Sequence, residues 1–218
     1  MIKAVIFDMD GVMVDSEYLW ERAETILLSR RNIEYNDQYR DQIVGLNQND
    51  SGKLLIETFS LNESIEKVIS ERIDILFELY DNQLKLNTGL INLLEKLKIN
   101  NFLLAVASSS PKKVVRYVVD KFKLSNYFHA IISGDNAAEG KPHPEIYLKT
   151  AQELSTAPKS CVAIEDSING LISAKEAGMY CIAVPDKRLS QNLFKKADMI
   201  LCSLDEITIS TIKNINNI

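Results

Sequence analysis

Five short apolar runs, at Lys3–Phe7, Phe102–Ala107, Ala130–Ser133, Cys161–Glu165 and Tyr180–Val184, limit what this chain can fold into. Runs such as Ala4-Val5-Ile6-Phe7 are apolar without interruption. A strand covered on one side only would alternate apolar with polar residues, so unbroken runs mark strands buried on both faces. Helical patterns separate the last four runs, and such alternation builds a parallel sheet wrapped by helices. The expected fold class is α/β, with a doubly wound, Rossmann-like parallel sheet as its core. In sheets of this kind ligands sit beyond the carboxyl ends of the strands, so the residues that follow each run carry the functional argument.

Between Ser16 and Leu86 the pattern changes. Strand signals give way to helical periodicity at Tyr18–Arg31, Ser51–Ser60 and Glu63–Asp81. This predicts an inserted all-helical cap over residues 16–86, with residues 1–15 and 87–218 forming the core domain. The two connections, near Val14–Ser16 and Asn82–Thr88, would set the cap over the end of the first strand and allow a hinge.

The remaining composition excludes several classes. Apolar runs fall far short of the roughly 20 residues of a membrane helix, and no signal-like apolar region opens the chain. A cytoplasmic protein with no membrane partner is expected. The formal charge of −5, from 25 Lys and Arg against 30 Asp and Glu, comes with no dense basic block, which argues against nucleic acid. Cys161, Cys181 and Cys202 are odd in number and lack paired metal-ligand spacing, so they read as reduced core residues of a monomer.

Four strand ends carry chemistry. The first runs into Asp8-Met9-Asp10-Gly11, two acids on the same side of an extended chain, a pair that suits a hard cation such as Mg²⁺. Taken alone, such a pair is more often turn and capping chemistry than catalysis. The second ends in Ser108-Ser109-Ser110-Pro111 before a helix, where hydroxyls and backbone N–H groups can hold phosphate or simply cap, or do both with Ser108 facing the ligand and Ser110 capping the helix. Lys141, in Gly140-Lys141-Pro142-His143-Pro144, is a cation in a stiffened loop, or a solvated lysine. Glu165 and Asp166 close the fourth run, as metal ligands or as the start of a capped helix. His143 stays without a role, because it can cap the next helix. All four candidates lie at strand carboxyl ends, so the separate structural explanations would have to coincide in one place.

In this order FDMDGVMVDSE, SSS, GKPHPEIY and VAIEDSINGLISAKEAGM resemble the haloacid-dehalogenase-like hydrolases, in the phosphatase and phosphoglucomutase branch with a small helical cap. The resemblance implies that Asp8 is a nucleophile forming an aspartyl-phosphate and Asp10 a general acid and base. It further implies Mg²⁺ held by Asp8, Asp10 through its backbone carbonyl, Glu165 and Asp166. Ser108, with Ser109, would bind phosphate, and Lys141 would neutralise it and the nucleophile. The expected activity is hydrolysis of a small phosphorylated metabolite, a sugar phosphate foremost.

Two positions depart from the mutase pattern of that branch. Trp20 stands where a histidine is expected and Gln48 where an arginine is, so the cap lacks two charges. For Trp20 a core-anchoring role is the expectation. The cap loop Gly45–Asn49, through Asn47 and Gln48, is expected to read the leaving group, with Arg22 or Lys53 assisting. A phosphomutase and a phospho-aspartate signalling module remain alternatives. The cap and Asp10 argue against the second, since both serve turnover.

Overall fold

The computed structural model describes residues 1–36, 46–186 and 189–217. Its core is a six-stranded parallel sheet of β1 (Ala4–Phe7), β2 (Leu103–Ala107), β3 (Ala130–Ile132), β4 (Cys161–Glu165), β5 (Tyr180–Ala183) and β6 (Met199–Ile200), in the order β3-β2-β1-β4-β5-β6. β1 lies at the centre, its Phe7 paired with Val106 of β2 and Ile164 of β4. The chain moves outward from β1 in both directions, so the switch point of the topology falls beside Asp8, where doubly wound sheets bind ligands. The five expected strands are present, each within about one residue of its sequence-derived end. β6 lacked a signal because two residues cannot show a period.

The two faces of the sheet differ in residue size. Val5, Phe7, Leu104, Val106 and Ile164 pack on one face with Leu93, Leu94 and Leu97 of α4 (Leu90–Ile99) and Val114, Val115 and Val118 of α5 (Lys112–Lys121). The other face presents Ala4, Ala105, Ala107, Ala163 and Ala183. There Ile146, Tyr147 and Ala151 of α6 (Glu145–Glu153) and Leu171 and Ala174 of α7 (Ile168–Glu176) fill the space. Burial on both sides explains the unbroken apolar runs. A short α8 (Ile209–Asn214) follows β6.

Between β1 and α4 stands the helical cap, comprising α1 (Glu17–Ser29), α2 (Gln48–Phe59) and α3 (Ile65–Gln83) among the described residues. Leu19, Ala23 and Leu27 recur every fourth residue on α1 and are buried, as are Val68, Leu76 and Leu79 on α3. Asn47 caps α2 by accepting from Asp50 N, and Ser64 caps α3 by accepting from Lys67 N. The stems of the cap run side by side. Val14 forms an antiparallel bridge with Leu86, Asp15 N donates to Lys85 O at 3.0 Å, and Asn87 N donates to Met13 O at 3.0 Å.

Cys161 and Cys181 are buried and free, as expected of core thiols. Cys202 is exposed: it follows the two-residue edge strand and its N–H bonds to Glu206 Oε1 rather than to a covering element. No described helix is long and apolar enough to cross a membrane.

Candidate active site

Asp8 leaves β1 while its N–H still bonds to Ile164 O, at 3.0 Å, so the sheet fixes its backbone. The chain then turns through Gly11, whose φ of +76° is unfavourable for residues with a side chain. A Cβ there would lie 1.8 Å from Asp166 Oδ2. Only glycine lets the turn carrying Asp10 approach Asp166 this closely. Asn87 holds the turn from the far stem of the cap, with Nδ2 donating to Gly11 O at 2.6 Å and to Val12 O at 2.9 Å.

Lys141 enters from the loop before α6 and is fully enclosed. Its Nζ donates to Asp8 Oδ1 at 2.5 Å, Glu165 Oε1 at 2.6 Å and Ala107 O at 3.1 Å, and it stands 5.1 Å from the centre of the Tyr147 ring. Burial alone would pull its pKa down, but Asp8 and Glu165 outweigh that and the ammonium is held charged. Tyr147 donates to the same Glu165 oxygen at 2.6 Å, and Ser167 Oγ to the other at 3.2 Å. Glu165 thus also holds Lys141 in position.

Asp8, Glu165 and Asp166 offer carboxylate oxygens within 4.8 Å of one another, all buried. Burial raises the Asp8 pKa well above its ordinary value, opposed by Lys141 and reinforced by Glu165 and Asp10. Burial likewise raises Asp166, with Glu17 and Asp8 adding to it. Among the described residues, three enclosed carboxylates face one ammonium, an excess of negative charge that a divalent cation with oxygen ligands would relieve. Asp8 and Asp166, which line the cavity, are the side chains suited to hold it.

Asp10 is held by four donors. Ser16 Oγ at 2.7 Å, Trp20 Nε1 at 3.0 Å and Tyr80 OH at 3.3 Å reach Oδ1, and Ser110 Oγ reaches Oδ2 at 2.7 Å. Three of these come from the stem and helices of the cap. Trp20, expected as a core anchor, packs half-buried against the hydrophobic core and also lines the cavity, with its indole N–H on Asp10. Above these residues lies a cavity of about 80 Å³, floored by Asp8, Asp10, Ser109, Ser110, Lys141 and Asp166.

Ser108 and Ser110 have roles different from those read in the sequence. Ser108 N still bonds to Ile132 O, so the residue continues the strand and its side chain turns inward, fully buried, to accept from Ser110 N at 3.1 Å. Ser110 faces Asp10, and the first N–H of α5 is capped by Asp135 Oδ2 at 2.9 Å. Ser109 and Ser110 are the hydroxyls on the cavity wall.

In the cap, Gln48 lines the cavity, whereas Asn47 lies on the seam against Gly140. Arg22 binds Gln83 on the surface and Lys53 is exposed, so neither reaches the site. Gly45 lies outside the described residues. His143 accepts from Glu145 N at 3.3 Å, the capping role.

Ser16, Tyr80, Glu24 and Arg72 were missed. The last two form an ion pair at 3.1 Å with each side chain 1% exposed, on the cavity wall. Each had a sequence signal: Arg72 interrupts the apolar stripe Val68–Leu79, and Glu24 the stripe Trp20–Leu28.

Residues 5–184 match the model of the haloacid dehalogenase-like hydrolases. The chain belongs to this family. It is 36% identical over 221 residues to hexitol phosphatase B of Escherichia coli (strain K12), covering 95% of both chains. To the phosphorylated carbohydrates phosphatase of Thermotoga maritima it is 32% identical over 178 residues, 82% of each. The β-phosphoglucomutase structure from Clostridium difficile superposes with a TM-score of 0.88 at 26% identity, covering 100% of this chain and 98% of that one. Within the family the enzyme is a phosphoric monoester hydrolase, with an acidic group fit for a metal.

Proposed function

We propose that the enzyme hydrolyses small phosphorylated sugars or polyols, Mg²⁺-dependently, through an aspartyl-phosphate on Asp8. The observation that carries this reading is the buried Asp8–Lys141–Glu165 arrangement on the cavity floor, with Asp10 held beside it by cap and core together. Lys141 fixes one oxygen of Asp8, leaving the carboxylate oriented toward the cavity for attack on phosphorus with loss of the leaving oxygen. Asp10 protonates that oxygen. It then takes a proton from the water that cleaves the aspartyl-phosphate, releasing inorganic phosphate and restoring Asp8. Ser109, Ser110 and Lys141 hold the phosphoryl oxygens, with Ser108 supporting Ser110 from behind. When bound by Asp8, Asp166 and the Asp10 carbonyl, Mg²⁺ would supply charge neutralisation on the phosphoryl group. Glu165 supports this set through Lys141.

Residues 1–15 and 87–218 act as the catalytic core and 16–86 as the cap, in which Gln48 faces the leaving group and Asn47 the seam. The free cysteines suit a monomer working in a reducing cytoplasm. A phosphomutase is the second reading, favoured by one observation: Arg72 brings into the cap a cation that Trp20 and Gln48 do not supply.

Phosphorus NMR separates the two. With β-glucose 1-phosphate, Mg²⁺ and a trace of glucose 1,6-bisphosphate, a hydrolase yields inorganic phosphate or nothing. Accumulation of glucose 6-phosphate with little phosphate overturns the assignment. Across a panel of phosphorylated metabolites, Asp8→Asn and EDTA should each abolish phosphate release; survival of turnover in either sinks the mechanism.

A further inference from the structure

We propose that Tyr80 is a positioning residue for the acid–base group: its hydroxyl fixes the Asp10 carboxylate, and Tyr117 on the core seats it there. This inference rests on the reading of Asp10 as general acid and base given above. Tyr80 is fully buried in α3 and lies outside the cavity lining, so it acts through Asp10 and not on the substrate. Its OH donates to Asp10 Oδ1 at 3.3 Å, beside Ser16 Oγ at 2.7 Å and Trp20 Nε1 at 3.0 Å, whereas Oδ2 accepts from Ser110 Oγ at 2.7 Å. The last torsion of an aspartate is broad, so the side chain does not by itself set the plane of its carboxylate. Donors on both oxygens do.

The seat of Tyr80 belongs to the core. Tyr117 of α5 packs against one stretch of α3, its ring centre 5.0 Å from that of Phe77 and 6.0 Å from that of Tyr80, and its OH donates to Asp81 Oδ1. Lys121, one turn further along α5, donates through Nζ to Asp81 O at 3.0 Å. The last turn of α3 is thereby clamped to the core helix that begins just after Ser110. One core element then governs both oxygens of Asp10: Oδ2 through Ser110 at the head of α5, and Oδ1 through Tyr117 and Tyr80 in turn. Ser16 and Trp20 come instead from the stem and first helix of the cap. Loosening Tyr117 should let the α3 turn shift and draw the Tyr80 hydroxyl off Asp10, although Tyr117 itself lies off the cavity lining.

A hydroxyl that only satisfied its own burial would, once removed, affect every substrate alike. A positioning role predicts a loss that follows the need for a proton. The leaving oxygen of an alkyl phosphate such as sorbitol 6-phosphate departs with a proton, whereas p-nitrophenolate departs without one. Tyr80→Phe keeps the ring and removes the hydroxyl. Its kcat/KM on sorbitol 6-phosphate should fall about tenfold, the low end for a bond to a charged group because this one is long, while kcat/KM on p-nitrophenyl phosphate is nearly unaffected. Asp10 also takes the proton from the water that cleaves the aspartyl-phosphate, so that step slows too, and a burst of p-nitrophenolate should precede the steady state. Tyr117→Phe should show the same signature at about threefold, which keeps the test decisive should Tyr80→Phe not fold. Equal losses on both substrates in Tyr80→Phe, or no loss on either, overturn the inference, and a Tyr117→Phe enzyme matching wild type removes Tyr117 as the seat. Asp10→Asn separates this from the reading beneath it. If its loss depends on the leaving group while that of Tyr80→Phe does not, the acid–base reading stands and only Tyr80 falls; if its loss is the same on both substrates, the acid–base reading falls as well.

Discussion

Gly140→Ala tests whether the cap must close against the core. A Cβ at residue 140 would lie 2.5 Å from Asn47 Nδ2 and 3.0 Å from Asn47 Cβ and Cγ, all inside ordinary contact. Swinging the amide away relieves only part of this, because Asn47 Cβ is fixed by the backbone. It also breaks the cap bond to Asp50 N at 2.9 Å, an N-cap typically contributing about 1 kcal/mol. Overpacking of this kind costs roughly 1–3 kcal/mol. Since Asn47 belongs to the cap and Gly140 to the core, opening the seam relieves the strain without unfolding either part. The cost should therefore fall on closure, with kcat/KM on a sugar phosphate dropping about 5- to 150-fold. Thermal unfolding should move little. Asn47→Gly removes the clashing side chain while keeping much of the capping preference, so the double variant should recover most of the loss. Full activity in Gly140→Ala, or no recovery in the double variant, would refute the reasoning.

Three further perturbations follow from the site and the cap. Trp20→Phe removes a donor to the Asp10 carboxylate, and losing a bond to a charged group costs about 1.5–3 kcal/mol, or roughly 10- to 150-fold. The loss should be larger on an alkyl phosphate than on p-nitrophenyl phosphate, whose leaving group needs no proton; equal losses would remove Asp10 positioning as the cause. Gly11→Ala pushes a methyl group onto Asp166 and should raise the Mg²⁺ concentration for half-maximal activity, so an unchanged activation curve counts against Asp166 as a ligand. Hydrogen bonds from Arg31, then Lys67, hold the Glu63 pKa down at about 2 against an ordinary 4.5. A lowered folded-state pKa stabilises the fold above 4.5, and the contribution is lost as pH falls from there toward 2. Arg31→Gln should therefore flatten the dependence of Tm on pH across that window, and an unaltered slope would show the pair contributes nothing.

The core was legible because its signals are local. An unbroken apolar run needs no partner to be recognised, and an acid placed just beyond it is carried to the switch point by the topology. Asp8, Asp10 and Asp166 were found this way and Lys141 from its proline-stiffened loop, and the structure gathers the four on one cavity floor. Ser108 turned inward and Ser110 faced the site because a strand's last residue is set by its ladder bond to Ile132, which one sequence does not display. The cap was legible as helices but not as a site. Which way Trp20, Glu24 and Arg72 face depends on how α1 and α3 pack, and a buried ion pair spanning 48 positions leaves only an interrupted stripe on each helix.

The stems of the cap carry a consequence for how enzymes of this build can change. Two chains bonded edge to edge through Val14 and Leu86 resist sliding past one another but bend across their common plane. The cap can swing and still return in the same register, so the leaving group meets the same wall at each turnover. The bonding also couples the stems in length. One residue added to either stem alone would shift its partner pairing and turn side chains to the opposite face. New specificities are therefore reached by substitution within α1–α3, or by exchanging a cap together with both its stems. A graft cut on the core side of the ribbon, before Val12 and after Thr88, would keep that register, whereas one cut within the ribbon, at Val14 and Leu86, would divide it.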